Sequence, residues 1–522
     1  MIIEIIVKYN DDIAAAAAGL STSVEILSPN FAIITLDESN LAHIAELPQI
    51  EYIEPPKGLS LFTTESLYHA CIPSAVESYG LSGKGVLIGC IDSGLDYTHP
   101  DFQNDDDTTR ILYFWDMTAT GAPPAGFKDG HLFAADDFNK ALQSPNPLSI
   151  IPQLDAMGHG TAVAGVACGN GRASGGLQKG VAFEAGIIAV KLGGGARTTQ
   201  LMRALKFIVD TAQNSNAPCA INISFGTNEG GHDGNSLFEQ YINEIAQRGK
   251  ISIIAAAGNE GSAGHHFFGN IPTGQSENIE FTVGGNLRSL YLVISKDFVD
   301  EFTFELIPPV LNGVKISTNL GLPTFYNTYQ EIYIRAIATT KAPLPQGFWH
   351  LKITSASSVV GDFNIWLPTA EEVGAATTFA RPNPEATITL PATAAGVVSV
   401  GAYNAPQDAF AEFSGRGFTN QTPQKPDIVA PGVNVLSSAP GGGYDNFTGT
   451  SIAAPFVTGA AALMMEWGII KGDDPYLYGQ KVKAFLHLGA NRRTDRQYPN
   501  EIWGYGTLCL KSSLEYLEKY RR

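Results

Sequence analysis

The sequence predicts an α/β fold, a doubly wound parallel sheet, with a small βαββαβ unit ahead of it and a β-sandwich set into it. Three observations carry this. Apolar runs nearly continuous in Val, Ile and Ala (residues 85–91, 187–191, 219–224 and 252–257) alternate with segments at 201–211 and 237–247 whose apolar residues fall at three- and four-residue spacing. Strands of that kind are covered on both faces, as in a parallel sheet, and the intervening spacing is that of amphipathic helices. The leader reads strand (2–7), alanine-rich stretch, strands (24–27 and 31–36), helix (41–47) and strand (50–53), the order of a split βαβ unit. Between Gly264 and Pro384 the pattern changes to short alternating runs of Thr, Phe, Tyr and Ile, such as 291–294, 331–336 and 362–367, separated by Pro, Gly and Asn. That is the signature of a sandwich or jelly roll.

These readings divide the chain into a leader at 1–62, a first α/β part at 63–263, the insert at 264–384 and a second α/β part at 385–522. The leader is small for an independent domain and is expected to lean on a neighbour. Composition agrees: 44% hydrophobic and 16% charged residues exclude a disordered chain. A net charge of -18 argues against nucleic acid or an anionic membrane as partner and suits a soluble protein or peptide substrate. The five cysteines, Cys71, Cys90, Cys168, Cys219 and Cys509, are odd in number and lack C-x-x-C spacing, so reduced structural thiols are expected rather than zinc or a disulfide framework. The N-terminus has no basic region before its short apolar run, and no run of 18 apolar residues follows, so the expectation is synthesis in the cytoplasm without a Sec signal.

Three motifs carry the chemistry. An apolar strand ends in Asp92-Ser93-Gly94, at the carboxyl end where active sites of open parallel sheets assemble. Gly158-His159-Gly160-Thr161 opens a small-residue helix, and Gly449-Thr450-Ser451 feeds another, placing the serine near the positive end of a helix dipole. Serine needs a histidine to take its proton, and the histidine needs a carboxylate to fix its tautomer. Taken singly, each residue reads as a turn, a core histidine or a cap; the three in this order read as a triad.

The order Asp, His, Ser and all three flanks resemble the subtilisin family of serine proteases. Ala255-Ala256-Ala257-Gly258-Asn259-Glu260-Gly261, Asn222-Ile223-Ser224-Phe225-Gly226 and Lys425-Pro426-Asp427-Ile428-Val429-Ala430-Pro431-Gly432 extend the resemblance. It implies a serine endopeptidase with Asp92, His159 and Ser451 as triad and Asn259 as side-chain donor to the oxyanion. It also implies a substrate edge at Ser224, Phe225 and Gly226 that walls the P1 pocket, faced by a second edge over 193–198 that includes Gly195 and Ala196. Ala162 and Phe456 stand where relatives commonly carry further histidines outside the triad. No cofactor is implied. Asp101, after His99-Pro100, is a weak candidate calcium ligand; the loop at 170–179 departs from the usual partner loop, so a capping or turn role stands beside it.

A leader of this kind, together with a β-rich insert between Asn259 and Ser451, is similar to the clostridial Csp germination proteases. That resemblance implies a protease that cuts its own leader, retains it as an inhibitor and processes a specific protein precursor in a spore-associated or cytoplasmic setting. The linker after the leader, Glu54-Pro55-Pro56-Lys57-Gly58-Leu59-Ser60-Leu61-Phe62-Thr63, is expected to thread the cleft, with scission at Phe62–Thr63. Two other functions compete: a non-catalytic sensor, marked by a lost triad residue, and a carbohydrate-binding module centred on the sandwich. All three triad residues are present. Oligomeric state is left open by the sequence.

Overall fold

The computed structural model describes every residue except 1, 58–59, 62–67, 319–323, 327, 419–423 and 522. Its largest sheet has nine strands. Across it run Ala409–Phe410, Val398–Asn404, Ile251–Ala256, Cys219–Ile223, Leu87–Asp92, Gly186–Lys191, Ile111–Asp116 and His131–Ala134, with Ile428–Pro431 paired to Val398–Asn404. The central pairings are parallel, and the two outermost strands on this path pair antiparallel. Side chains alternate between two cores: Ile88, Cys90, Ile254 and Ala256 face one, Leu87, Ile91, Ile253 and Ala255 the other. The first is closed by the His159–Cys168 and Thr450–Met465 helices, the second by Thr198–Asn214 and Leu237–Ile245. Both faces of the strands are therefore apolar, which is why they read as continuous runs.

After Leu87–Asp92 the chain adds strands on one side, then returns to lay down Cys219–Ile223 and Ile251–Ala256 on the other. Asp92 thus ends the strand beside which strand order reverses, the place where a crevice opens in such sheets. The sequence reading missed the Ile111–Asp116 and His131–Ala134 strands, whose aromatic content and exposed positions break the Val/Ile/Ala pattern. The helix expected after Gly449-Thr450-Ser451 is part of Thr450–Ile470, which is long and apolar enough to cross a membrane although Glu466 interrupts the run; 94% of its most apolar window is buried inside the protein, as a core helix.

The leader forms a four-stranded antiparallel sheet ordered Ser23–Ser28, Phe31–Asp37, Ile2–Tyr9, Ile50–Glu54. Ile5, Val7, Ile34 and Leu36 make its own small core, while Ile6, Leu27, Phe31 and Ile33 join the large core over the Thr198–Asn214 and Leu237–Ile245 helices. Arg203 on the first of these helices reaches Glu25 and Glu4 of the leader at 2.7 and 2.5 Å. Two further sheets lie between 266 and 379. One contains His266–Asn270, Asp362–Trp366, Ser289–Asp297, Tyr329–Ala338, Val314–Thr318 and the short Thr324–Tyr326; the other contains Glu301–Ile307, Gly347–Ser357, Ser276–Val283 and Thr378–Phe379. Phe281, Trp349 and Leu351 from one pack with Leu292, Ile294 and Phe363 from the other, and burial alternates along Gly347–Ser357.

The cysteine expectation is corrected. Cys71, left-handed (φ 53°) at the head of the Ile72–Tyr79 helix, is disulfide-bonded to Cys509, which directly precedes Leu510–Arg521. The two helices pack together, bringing residues 438 apart in sequence to a Cα separation of 4.8 Å. Cys90, Cys168 and Cys219 are free and buried, as expected, and burial pushes the Cys168 thiol up to about 11 and that of Cys219 to about 12.

Candidate active site

Asp92, 1% exposed, accepts a hydrogen bond from the Ser93 amide at 2.7 Å and lies 2.6 Å from His159 Nδ1. That approach requires a bare backbone at Gly160, where a Cβ would lie 2.1 Å from Gly94 O and 3.0 Å from the Asp92 Cβ. A second buried carboxylate fastens the two motifs. Asp155 accepts from Ser93 Oγ, the Gly158 amide, the Thr161 amide and Thr161 Oγ1 at 2.7–3.0 Å, so it caps the histidine helix and grips the loop behind Asp92. The sequence reading did not single it out; its signal is an Asp four residues before the histidine, ahead of a helix start.

Ser451 lies in the first turn of the Thr450–Met465 helix. Its carbonyl has no helical donor four residues on, because that residue is Pro455. Ser224 Oγ donates to it instead at 2.7 Å, receives a bond from Asn222 Nδ2 at 2.8 Å, and Asn222 Oδ1 is fixed by Thr458 Oγ1 at 2.9 Å. The serine helix and the substrate edge are thereby one hydrogen-bonded unit. Ser451 Oγ and His159 Nε2 are both buried and, among the described residues, neither has a hydrogen-bond partner.

Asn259 follows the Ile251–Ala256 strand, across from the head of the serine helix. Its Oδ1 accepts from the Thr450 amide at 2.9 Å and Thr450 Oγ1 at 3.1 Å, and Thr450 Oγ1 also receives the Gly258 amide. With Oδ1 committed, the amide orientation is settled and Nδ2 is the end left for a ligand. Thr450 was quoted in the sequence only as a neighbour of the serine; its role depends on a residue 191 positions away.

Phe225–Gly226 is a two-residue strand paired antiparallel with Ser60–Leu61, Phe225 opposite Leu61 and Gly226 opposite Ser60. The linker also pairs on the other side, where the Thr198 amide donates to Lys57 O at 2.6 Å and the Lys57 amide to Thr198 Oγ1 at 2.7 Å. The Phe225 side chain is turned into the core, so only its backbone serves the edge. Gly195 is exposed, whereas Ala196 is buried in the same core. Phe62 and Thr63 lie outside the described residues.

Asp101 is fully buried. Its carboxylate accepts from the Ala173 amide, Ser438 Oγ and Tyr444 OH at 2.8–3.0 Å, and its carbonyl accepts from Arg110 Nη1 at 3.0 Å. Arg110 also donates to Cys168 O and Ala185 O. These are N–H and O–H donors aimed at the oxygens a calcium ion would use, and a guanidinium occupies the neighbouring carbonyls; the set does not fit a hard cation. Among the described residues no three His, Cys, Asp or Glu side chains converge on a common point.

The Subtilase family model matches residues 83–283 and 368–506, and the Csp protease B prodomain model matches residues 1–57. The structure of the CspB protease of Clostridium perfringens superposes with a TM-score of 0.77 at 36% identity, covering 87% of this chain and 97% of that one. The PI-type proteinase of Lactococcus lactis subsp. cremoris is 22% identical over 98% of this chain, which spans only 30% of that protein's length. The serine protease AprX of Bacillus subtilis (strain 168) is 33% identical over 24% of this chain and 32% of its own length. The chain belongs to the subtilase family of serine endopeptidases, as a Csp-type protease headed by a Csp protease B prodomain.

Proposed function

We propose that Ser451, His159 and Asp92 hydrolyse peptide bonds as a triad. Ser451 Oγ attacks the scissile carbonyl while His159 Nε2 takes its proton, and Asp92 holds the Nδ1–H and stabilises the imidazolium. The tetrahedral oxyanion is received by Asn259 Nδ2 and the Ser451 amide. His159 then returns the proton to the leaving amine, and water repeats the sequence on the acyl-enzyme. The observation that carries this reading is the 2.6 Å contact between Asp92 and His159, beside two buried atoms, His159 Nε2 and Ser451 Oγ, that have no other partner among the described residues.

The chain is its own first substrate. Substrate would add as a strand, with main-chain bonds supplying affinity, and Ser60–Leu61 is already paired with the edge. The pairing of Ser60–Leu61 with this edge supports scission just beyond it, at Phe62–Thr63. After cutting, the leader stays docked as inhibitor, because its Ile6, Leu27, Phe31 and Ile33 are shared with the catalytic core. By resemblance to the Csp germination proteases, the external substrate is a specific protein precursor, met in a spore-associated or cytoplasmic setting. Asp101 serves as a metal-free anchor, and no cofactor takes part.

Labelling with a serine-directed phosphonate and N-terminal sequencing test this. The parent should label and run as two co-purifying fragments starting at residues 1 and 63, and Ser451→Ala should remain one unlabelled chain. A parent that stays uncut and unlabelled would return the reading to a non-catalytic sensor, and cutting of Ser451→Ala would implicate another protease.

A further inference from the structure

Asn259 is held indirectly. Among the described residues no backbone hydrogen bond reaches its own amide or carbonyl, and its predecessor Gly258 (φ +90°) is in a conformation open to glycine. Its side chain is fixed at one end by Thr450, but the backbone of the turn depends on its neighbours. On the near side Gly258 is tied by its amide to Thr450 and by its carbonyl to the Gly415 amide. On the far side the Gly261 amide donates to Phe413 O at 2.9 Å, and the side chain of Glu260 supplies the further ties.

Glu260 is 1% exposed. Its Oε2 accepts from His265 Nδ1 at 2.5 Å and from Asn228 Nδ2 at 3.2 Å, and its Oε1 from the Ala370 amide at 3.0 Å. The donors come from two parts of the molecule, Asn228 from the α/β part and His265 and Ala370 from the insert. Asn228 lies two residues past the substrate edge and also donates to Leu367 O at 3.1 Å. His265 opens the inserted sandwich, and Ala370 lies where the chain leaves its Asp362–Trp366 strand. The second ring nitrogen of His265 faces Thr377 O at 2.8 Å, so both nitrogens have acceptors and the ring is set up as an imidazolium. Burial disfavours that charge, but Glu260 outweighs it and holds His265 above the ordinary histidine value. A buried ion pair with every partner in place fixes geometry more than it adds stability.

We infer that Glu260 is a positioning residue for the reaction, holding Asn259 at the oxyanion by bracing its turn against the substrate edge and the inserted sandwich. The insert, which supplies no triad or oxyanion group, thereby sets the precision of one. This rests on the oxyanion role of Asn259 proposed above. An interaction made with the transition state alone lowers turnover when it is misplaced and leaves substrate affinity intact.

The test is a double-mutant cycle with a peptide substrate, using Glu260→Gln, Asn259→Ala and the pair, each checked for a cooperative thermal transition. Glu260→Gln should lower kcat about 10-fold or more, with KM within about 2-fold of the parent. In the Asn259→Ala background the same change should cost less than about 2-fold, because there is no donor left to misplace. Independent losses that multiply, a loss carried by KM, or parental turnover in Glu260→Gln would overturn the inference. Parental turnover in Asn259→Ala would instead remove the oxyanion reading beneath it, and the inference with it. Should Glu260→Gln fail to fold, His265→Asn loosens the same node from the sandwich side and is held to the same outcomes.

Discussion

Ser451 shows how a functional residue is placed by what a neighbour lacks. Pro455 cannot donate to the Ser451 carbonyl, and the Ser224 hydroxyl that takes over belongs to the substrate edge, so nucleophile and edge move together. Asn259, the proposed oxyanion donor, is placed as firmly, by two bonds from Thr450. Asn259→Ala should therefore fold and bind substrate normally but lose about 10²–10³ in turnover, the loss known for subtilisin when it is deprived of such a donor; steady-state kinetics would show it, and near-parental kcat would refute the role. A second prediction concerns Glu331, 2% exposed on the Tyr329–Ala338 strand. Burial pushes its carboxyl from 4.5 up to about 7, although Lys57 pulls it down. With the folded pKa above the unfolded one, its favourable contribution is complete below about pH 4.5 and is lost as pH rises through about 7. Glu331→Gln should thus gain on the parent between pH 5 and 8, by up to about 3 kcal/mol; melting curves across that range that stay parallel would contradict it. Asp92, His159 and Ser451 could be proposed as a triad from the sequence because their flanks are local. Asp155, Thr450 and Glu260 were not read as functional, because their work is done on partners brought near only by folding.

Among the elements, those with a clean period were the most legible. The leader strands and the core strands of the parallel sheet appear within a residue or two of their expected bounds, since alternation and continuous apolarity are direct consequences of one-faced and two-faced burial. The Ile111–Asp116 strand was hidden by its exposed Leu112 and Tyr113. The link between Cys71 and Cys509 was hidden more deeply: it closes 438 residues, and only the packing of two helices far apart in sequence reveals it. The Asp101 segment had two sequence readings, capping and calcium, and they differ in a measurable way. Its carboxylate already takes bonds from Ala173, Ser438 and Tyr444, with Arg110 on the adjacent carbonyl. Chelator should leave both activity and melting temperature unchanged. A fall in melting temperature in EDTA that calcium reverses would show that the loop binds metal after all.

At the scale of the whole molecule, the inserted sandwich is expected to clamp the leader and the α/β part. Trp366, 1% exposed, stacks on His232 of the α/β part at 4.3 Å between ring centroids and donates to Ala386 O at 2.8 Å. Burial against this surface holds the His232 imidazole down to about 3, as a neutral ring. On the leader side, Lys57 is fully buried near Glu54, Glu239 and Glu331, one carboxylate each from leader, α/β part and sandwich; burial disfavours its charge, but the three carboxylates outweigh it. Removing the sandwich would uncover His232, the ring on which Trp366 stacks, a change that costs stability even where the catalytic groups are untouched. The deletion is sterically simple, because entry and exit lie side by side: the Asn383 amide donates to His266 O at 2.8 Å and the Phe379 amide to Gly264 O at 3.0 Å. A chain with residues 264–384 replaced by a short glycine linker should melt well below the parent and be cut by added protease near His232. Trp366→Ala, which leaves the sandwich in place, should lose about 3–5 kcal/mol by the same route. If the deletion variant melted with the parent and resisted protease equally, the clamp would be excluded, and the sandwich would be better understood as a surface for binding a partner.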